Sequence, residues 1–307
     1  MSERIIRTVC GDVSPEAFEF FHCHEHIWID GSFLGESAPV RPIDDFARSL
    51  AELRRLGKGT ALVDCQPLSA GGDADILEKL SRRSKVGIVA ATGFHKLSFY
   101  RPDSYILSAD ADRLEERFRK EAERCGVIKT AVEKEGVTGR YEVLHTAAAK
   151  TAAATGLPVV VHIDPGADPV ALSVYYRDRG VGGAVILCHL DRAEPDISLH
   201  LRAAERGAFL EYDTIARPKY HSDEREIRII RQVCDAGFGD RILLGLDTTR
   251  ERLKSYGCEG AAGLDYLENT FIGSLRAGGL DEETVDLLIR RNPRHAISFI
   301  TREGKKR

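Results

Sequence analysis

The feature that most constrains the fold is the regular alternation of short apolar runs with longer amphipathic segments. The runs are rich in β-branched residues and lie at 18–26, 60–66, 86–94, 126–132, 158–164, 184–191, 208–214 and 241–247. Such alternation predicts parallel strands joined by helical crossovers, in a sheet covered on both faces. Eight units in one chain predict an α/β fold of the (β/α)8 TIM-barrel type, which takes about 250 residues.

Four of the intervening segments have a clear helical pattern. They lie near 45–57, 110–124, 142–156 and 225–237, and the glycine that closes the last is suited to end a helix. No linker or low-complexity tract divides the sequence, so we expect a single barrel domain over 1–307 with a short N-terminal lead-in. The basic residues 302–307 are expected to fray in solvent.

Composition and charge exclude several classes of protein. Hydrophobic residues make up 43% of the chain, yet no apolar run approaches the ~20 residues that span a bilayer. The 44 Lys and Arg against 48 Asp and Glu give a net charge of −4, which argues against a broad attraction to nucleic acid or anionic membrane. The 7 cysteines have no disulfide-framework or zinc-knuckle spacing. We therefore expect a cytoplasmic protein with reduced thiols and neither a nucleic-acid nor a membrane partner.

Polar side chains collect at the carboxyl ends of the predicted strands, where TIM barrels carry their chemistry. These side chains are His24, His26, Lys129, His162, His189 and Asp247. Burying so much polarity at one mouth without a common ligand would be costly, so the set predicts a metal site. Histidines on predicted helices are instead interpreted as hydrogen-bonded core residues, namely His145, His200 and His295.

The first strand supplies two of the predicted ligands. Because side chains alternate along a strand, His24 and His26 point the same way and can reach one ion. His22 has the same parity one layer deeper, and its role as a ligand stays open. Glu25 should point outward as a supporting carboxylate.

Lys129 is chemically out of place among metal-binding imidazoles, since cations would repel an ammonium and the barrel would desolvate it. Its amine must therefore be neutral or modified. Addition of carbon dioxide would give a carbamate, whose two oxygens can bridge two cations. At this point both forms remain open.

Five motifs in chain order resemble the phosphotriesterase-related family of the amidohydrolase superfamily. They are HEH at 24–26, GVIK at 126–129, VHID at 161–164, CHLD at 188–191 and LLGLD at 243–247. The resemblance extends from about residue 20 to NPRHAISF at 292–299. It implies that His24, His26 and Asp247 hold one divalent ion and that His162 and His189 hold the other.

The resemblance also implies the chemistry. Lys129, as a carbamate, would bridge the ions together with a hydroxide that attacks an electrophilic carbonyl or phosphoryl centre. Asp247 would take the proton and pass it to the leaving group, so Lys129 and Asp247 are the predicted catalytic residues. Zinc is the expected metal, with Mn or Co as alternatives. Family members are commonly dimers, which implies a possible homodimer.

The loops after the third, seventh and eighth strands are cationic rather than lipophilic. The predicted substrate contacts are His95, Lys96, Arg217, Lys219, Tyr220, Arg250, Lys254 and Tyr256. Such side chains can clamp a phosphate or carboxylate, and loops seven and eight are a frequent phosphate site in barrels. The alternative is that they are solvated charges paired with Glu251 or Asp223.

These loops are most similar to those of the phosphorylated-sugar lactonases, so we expect a hydrolase that opens a phosphorylated sugar lactone, a small anionic substrate. One alternative is a lactonase, esterase or phosphotriesterase acting on an unphosphorylated substrate. A second is a non-catalytic metal- or ligand-binding barrel, which the completeness of the ligand set disfavours.

Overall fold

A computed structural model describes residues 4–300, and its centre is a barrel of eight parallel strands hydrogen-bonded in chain order. The strands are β3 (Phe20–Glu25), β4 (Thr60–Pro67), β5 (Gly87–Gly93), β6 (Val127–Val132), β7 (Val159–Ile163), β8 (Val185–Cys188), β9 (Phe209–Tyr212) and β10 (Ile242–Leu244). The first and last strands meet just beyond β10, where the Asp247 N–H donates to the His24 carbonyl at 2.9 Å. The predicted α/β barrel is confirmed.

Helices cover the outside of the barrel, and chain neighbours such as α1 with α2 and α3 with α4 pack together. Their bounds are α1 (Phe46–Leu53), α2 (Ala74–Ser84), α3 (Ala111–Glu121), α4 (Arg140–Thr155), α5 (Pro169–Asp178), α6 (Leu190–Ala193), α7 (Ile197–Glu205), α8 (Asp223–Asp235), α9 (Ile272–Ala277), α10 (Glu282–Asp286) and α11 (Asn292–Ile297). All four predicted helices are present, as α1, α3, α4 and α8. Within residues 4–300, none of these helices has the length and apolar character needed to traverse a bilayer.

The N-terminal lead-in closes the lower end of the barrel. Strands β1 (Arg4–Thr8) and β2 (Gly11–Val13) form an antiparallel hairpin, and β11 (Phe299–Ile300) adds to its other edge. Ile6 of this hairpin packs among buried barrel residues such as Val127 and Leu243. The tail at 302–307 lies outside the described residues.

Apolar and polar side chains occupy different levels of the barrel. Branched residues such as Val63, Val89 and Val160 form one buried cluster with the hairpin. Strands β8 and β10 end earlier than the sequence pattern predicted, so His189 and Asp247 lie just past them, with φ of 64° and 45°. The upper ends of the strands therefore turn sharply where the polar residues begin.

Candidate metal centre and substrate cavity

A β-bulge in β3 separates His22 from the other histidines of that strand. His22 pairs with Leu62 and Glu25 with Asp64, so β3 has one residue more than β4 in this interval. His22 consequently faces Glu25, with Nδ1 3.1 Å from a carboxylate oxygen, rather than lying below His24. Burial opposes its protonation, but the hydrogen-bonded carboxylate of Glu25 and the nearby carboxylate of Glu268 raise the pKa of His22 to about 9.

Glu25 has the supporting role that its outward direction predicted. Its carboxylate is fully buried and accepts hydrogen bonds from the N–H groups of Leu246 and Thr248, at 3.0 and 3.2 Å, and from the Thr248 hydroxyl. These contacts fix the segment that follows β10 against β3. Glu25 therefore helps to position Asp247, which lies between Leu246 and Thr248 in the chain.

Two of the predicted ligands have a buried carboxylate behind the ring. His24 Nδ1 lies 2.7 Å from Glu211, and His189 Nδ1 lies 2.7 Å from Asp213. A carboxylate accepts from Nδ1–H and leaves the Nε2 lone pair free, which is the usual arrangement behind metal-binding imidazoles. The two Nε2 atoms are directed at the other predicted ligands.

Five of the six predicted ligands form two neighbouring groups. His26 Nε2 lies 3.4 Å and His24 Nε2 lies 3.9 Å from Asp247 Oδ1, close enough for the three to share one cation. His189 Nε2 lies 2.7 Å from His162 Nδ1, which places two imidazole nitrogens against each other. This donor set fits divalent first-row metals, and a buried Nδ1 of His26 has no partner among the described residues.

Lys129 lies in the middle of this set, fully buried, with Nζ 3.1 Å from His24 Nε2. Burial lowers the pKa of its amine, but the nearby Cys188, Cys65, Glu211 and Asp247 outweigh that effect, and the net shift is upward. Without modification, the side chain is therefore a cation among the histidines. This is the electrostatic conflict that the sequence predicted.

Asp247 is held from its other side by two arginines. Its Oδ2 accepts from Arg217 at 2.7 Å and from Arg192 at 3.0 Å, and Arg217 also donates to the Asp247 carbonyl at 2.6 Å. Burial alone would raise the pKa of Asp247, but the two guanidinium groups hold it well below its usual value. Sequence reasoning missed Arg192, whose only signal is its position one turn after His189 in α6.

A cavity of about 260 Å³ opens above these groups. Five predicted substrate contacts line it, namely His95, Lys96, Arg217, Lys219 and Tyr220. His95 stacks on Phe99 with ring centroids 3.9 Å apart, and its centroid is 5.0 Å from that of His162. Lys96 Nζ lies 3.1 Å from Asp164, which also contacts His162 at 2.9 Å.

The other three predicted contacts are outside the residues that line this cavity. Lys254 Nζ pairs with Asp265 at 2.8 Å, a partner that the sequence did not indicate. The Arg250 guanidinium lies over the Tyr256 ring, 4.8 Å from its centroid, and donates to the Pro42 carbonyl. Arg192 and Arg41 occupy the cavity wall instead, so the substrate role of Arg250, Lys254 and Tyr256 stays a prediction.

Comparison with known proteins places the chain in a family. The model of the Phosphotriesterase family matches residues 4–297. A Phosphotriesterase homology protein of Escherichia coli is 27% identical over 281 residues, covering 88% of this chain and 94% of the relative. A Phospho-furanose lactonase of Mycoplasmopsis agalactiae is 26% identical over 327 residues, covering 97% and 92%.

Solved structures agree on the fold. An amidohydrolase from Mycoplasma synoviae superposes with a TM-score of 0.87 at 23% identity, covering 100% of this chain and 94% of the other. A lactonase from Listeria monocytogenes superposes with a TM-score of 0.86 at 23% identity, covering 96% and 99%. The predicted resemblance is confirmed, and the chain belongs to the Phosphotriesterase family.

Proposed function

We propose that the protein is a lactonase with a binuclear metal centre that opens a phosphorylated sugar lactone. Family membership makes it a hydrolase that acts on ester bonds. Two relatives of about this length are named phospho-furanose lactonases, each 26% identical and covering 97% of this chain. The finer proposal depends on the residues around the cavity.

The donor groups would hold two divalent cations. His24, His26 and Asp247 suit one ion, and His162 with His189 suits the other. Lys129, as a carbamate formed with carbon dioxide, would bridge them and convert the buried cation into an anion that both metals attract. Zinc is the proposed metal, with Mn or Co as alternatives. When bound, the ions supply Lewis-acid polarisation of the ester carbonyl and lower the pKa of water.

Asp247 is the proposed proton carrier. One of its oxygens faces His24 and His26, and the other is fixed by Arg192 and Arg217. It would accept the proton of the attacking water and return it to the ring oxygen when the lactone opens. The two arginines fix the orientation of the carboxylate, and their positive charges also make it less basic.

The observation that carries the proposed substrate is the row of cations along the cavity. Lys96, Arg192, Arg217 and Lys219 all line it, beside the donor cluster. Lys219 forms no ion pair with an acidic residue among residues 4–300, and its Nζ lies 4.7 Å from the centroid of the Tyr220 ring. A phosphate ester offers the dianionic oxygens that such a wall binds by charge-assisted hydrogen bonds. The cavity volume is small, which suits a compact polar ester better than an acyl chain.

Acid release from a panel of furanose lactones, each with and without a 5-phosphate, tests this proposal. We expect at least about a hundredfold preference in kcat/KM for the phosphorylated member, equivalent to about 3 kcal/mol. Lys219→Met should raise KM for the phosphorylated lactone alone, with the surface variant Lys58→Met as the matched control. Comparable turnover of both members would refute the phosphate assignment while leaving the metal-dependent hydrolase intact.

A further inference from the structure

A second cluster of potential metal ligands lies outside the barrel mouth. It consists of Asp191 in α6, His221 in the segment before α8, and Glu226 in the first turns of α8. All three are at least nine-tenths buried, and one ligand atom from each lies within 4.8 Å of the others. The proposed hydrolase chemistry uses none of the three.

The ring of His221 has a defined direction of hydrogen bonding. Its Nδ1 lies 3.1 Å from the Ser222 carbonyl, which can only accept, so Nδ1 carries a proton. Nε2 lies 3.1 Å from a Glu226 oxygen and 3.9 Å from an Asp191 oxygen. With Nδ1–H donating to Ser222, Nε2 and the two carboxylates are placed as three ligands of one cation.

No basic side chain balances the two carboxylates. Within residues 4–300, Asp191 and Glu226 form an ion pair with His221 alone, and the nearby Arg192 is committed to Asp247. Burial and the neighbouring Asp191 carboxylate raise the pKa of Glu226 well above its usual value, because a low-dielectric interior does not tolerate two adjacent negative charges without compensation. One divalent cation would cancel this charge.

Several atoms of the cluster have no hydrogen-bond partner in the described part of the chain. They are Asp191 Oδ1, both carboxylate oxygens of Glu226, His221 Nε2 and the neighbouring Thr214 Oγ1. Buried polar atoms normally have a hydrogen-bond partner. Here the atoms without one belong to neighbouring residues, and they include carboxylate oxygens and an imidazole nitrogen, which are common metal ligands. The Thr214 N–H donates to Asp191 Oδ2 at 2.6 Å, which holds that carboxylate in place and leaves its Oδ1 without a partner.

The position of this pair on α8 is also unusual. Ser222 is the N-cap, so His221 and Glu226 occupy the positions where helices commonly carry an apolar pair that fixes the entry of the chain. Here the contact between His221 and Glu226 is polar, and Asp191 from α6 lies next to both residues. The segment that connects β9 to α8 includes residues 214–221, and it carries Arg217, Lys219 and Tyr220 on the cavity wall.

We propose that Asp191, His221 and Glu226 bind a third divalent cation, which fixes the cationic segment of the substrate cavity to α6 and α8. One imidazole and two carboxylates suit Zn²⁺ or Mn²⁺, and the Thr214 hydroxyl or water can complete the coordination. The ion touches no reacting atom, so its role is structural. This site does not depend on how many ions the barrel mouth holds.

Metal content after reconstitution with Zn²⁺ and removal of loose ions tests the site. Glu226→Gln, which keeps the shape of the side chain, should bind about one equivalent less than the wild type. His200→Gln is the matched control, because His200 is also buried but both its ring nitrogens have partners, Tyr212 and the Glu194 carbonyl. Equal metal content in the wild type and Glu226→Gln would overturn the proposal.

Anomalous diffraction from wild-type crystals grown with Zn²⁺ needs no variant. We expect a peak among Asp191, His221 and Glu226, in addition to any density at the barrel mouth. Density at the barrel mouth alone would mean that the carboxylates share a proton, and the third site would be rejected. Absence of peaks at the barrel mouth would instead count against the proposed function.

Kinetics separate this role from the catalytic centre. Glu226→Gln should raise KM severalfold, because the loss loosens the cavity wall at Lys219 and Tyr220, and it should lower kcat to a smaller extent through Arg217, which holds Asp247. A loss confined to kcat would contradict the structural role assigned to the third ion.

Discussion

Lys129 is the residue on which the proposed centre depends most, because its buried Nζ lies 3.1 Å from His24 Nε2 among the proposed ligands. Lys129→Met should reduce hydrolysis by about three orders of magnitude or more, since it removes the group proposed to bridge the two ions. Lys129→Glu supplies a carboxylate near the position of the proposed carbamate, so this variant should keep part of the activity. Steady-state rates together with circular dichroism check both variants, and a fully active Lys129→Met would exclude the carbamate.

Asp213 supports the centre without binding a substrate. Its carboxylate lies 2.7 Å from His189 Nδ1, so Asp213→Asn should weaken metal affinity by about 10–100-fold. Competition with a chromophoric chelator measures this affinity. The exposed Asp178→Asn serves as the control and should match the wild type.

The positions of the proposed metal ligands were predictable from the sequence wherever a ligand lies at or near the end of a strand. Lys129 and His162 lie within strands, and His189 and Asp247 lie just past them, so the fold alone brings these four together. The Asp191, His221 and Glu226 cluster was not predictable, because it depends on how the loop before α8 folds back.

At the scale of secondary-structure elements, strand parity was an incomplete guide. It predicted the supporting role of Glu25, but the bulge in β3 placed His22 against Glu25 instead of below His24. A bulge leaves no reliable signal in a run of alternating histidines. Sequence reasoning could therefore retain His22 as a candidate but could not exclude it.

The junction of β5 with β6 depends on Gly93. Its φ is +100°, and an added Cβ would lie 2.1 Å from the carbonyl oxygen of Lys129. Gly93→Ala should therefore destabilise the protein by about 3 kcal/mol and displace Lys129. Gly207→Ala is the matched control, because its φ is +88° with nothing within 4 Å of the added atom. It should cost only about 1–2 kcal/mol in urea unfolding, and equal losses in both variants would argue against the contact with Lys129.

His145 connects α4 to its neighbours, since it contacts the Ala131 carbonyl at 3.0 Å and the Tyr176 hydroxyl at 2.6 Å. Burial lowers the pKa of His145 to about 4 from its ordinary value of 6.5. As the pH falls, His145 therefore becomes protonated in the unfolded chain before it does so in the folded protein. Its contribution to the free energy of unfolding is complete above pH 6.5 and falls as the pH drops toward 4. The stability difference between the wild type and His145→Gln should narrow by up to about 3 kcal/mol over this interval. A pH-independent difference would contradict it.

At the scale of the whole molecule, ligands from both sides of the barrel seam should couple metal binding to stability. His24 and His26 belong to β3, whereas Asp247 follows β10. Chelation should lower Tm by about 5–10 °C, and added Zn²⁺ should restore it. Asp247→Asn should show a much smaller shift in the same scan. An unchanged Tm on chelation would mean that no cation spans the seam.

The architecture was largely predictable because eight apolar runs and their crossovers leave few other topologies. The ends of two strands were not predictable, since the apolar runs at 184–191 and 241–247 continue past β8 and β10 into turns. The substrate loops were predicted less well than the donor cluster. Lys254 pairs with Asp265 rather than facing the cavity, and only tertiary packing determines that choice.

The closure of the barrel between its first and last strands has a consequence for biosynthesis. During translation, His24 and His26 leave the ribosome more than two hundred residues before Asp247, so for most of its synthesis the nascent chain has only two of the three side chains proposed to hold one ion. Truncated chains that stop before β10 lack that ligand and the seam itself. Loading of the ion proposed for His24, His26 and Asp247 should therefore follow completion of β10, and pulse-labelled ribosome-bound chains should retain less tightly bound zinc than released chains.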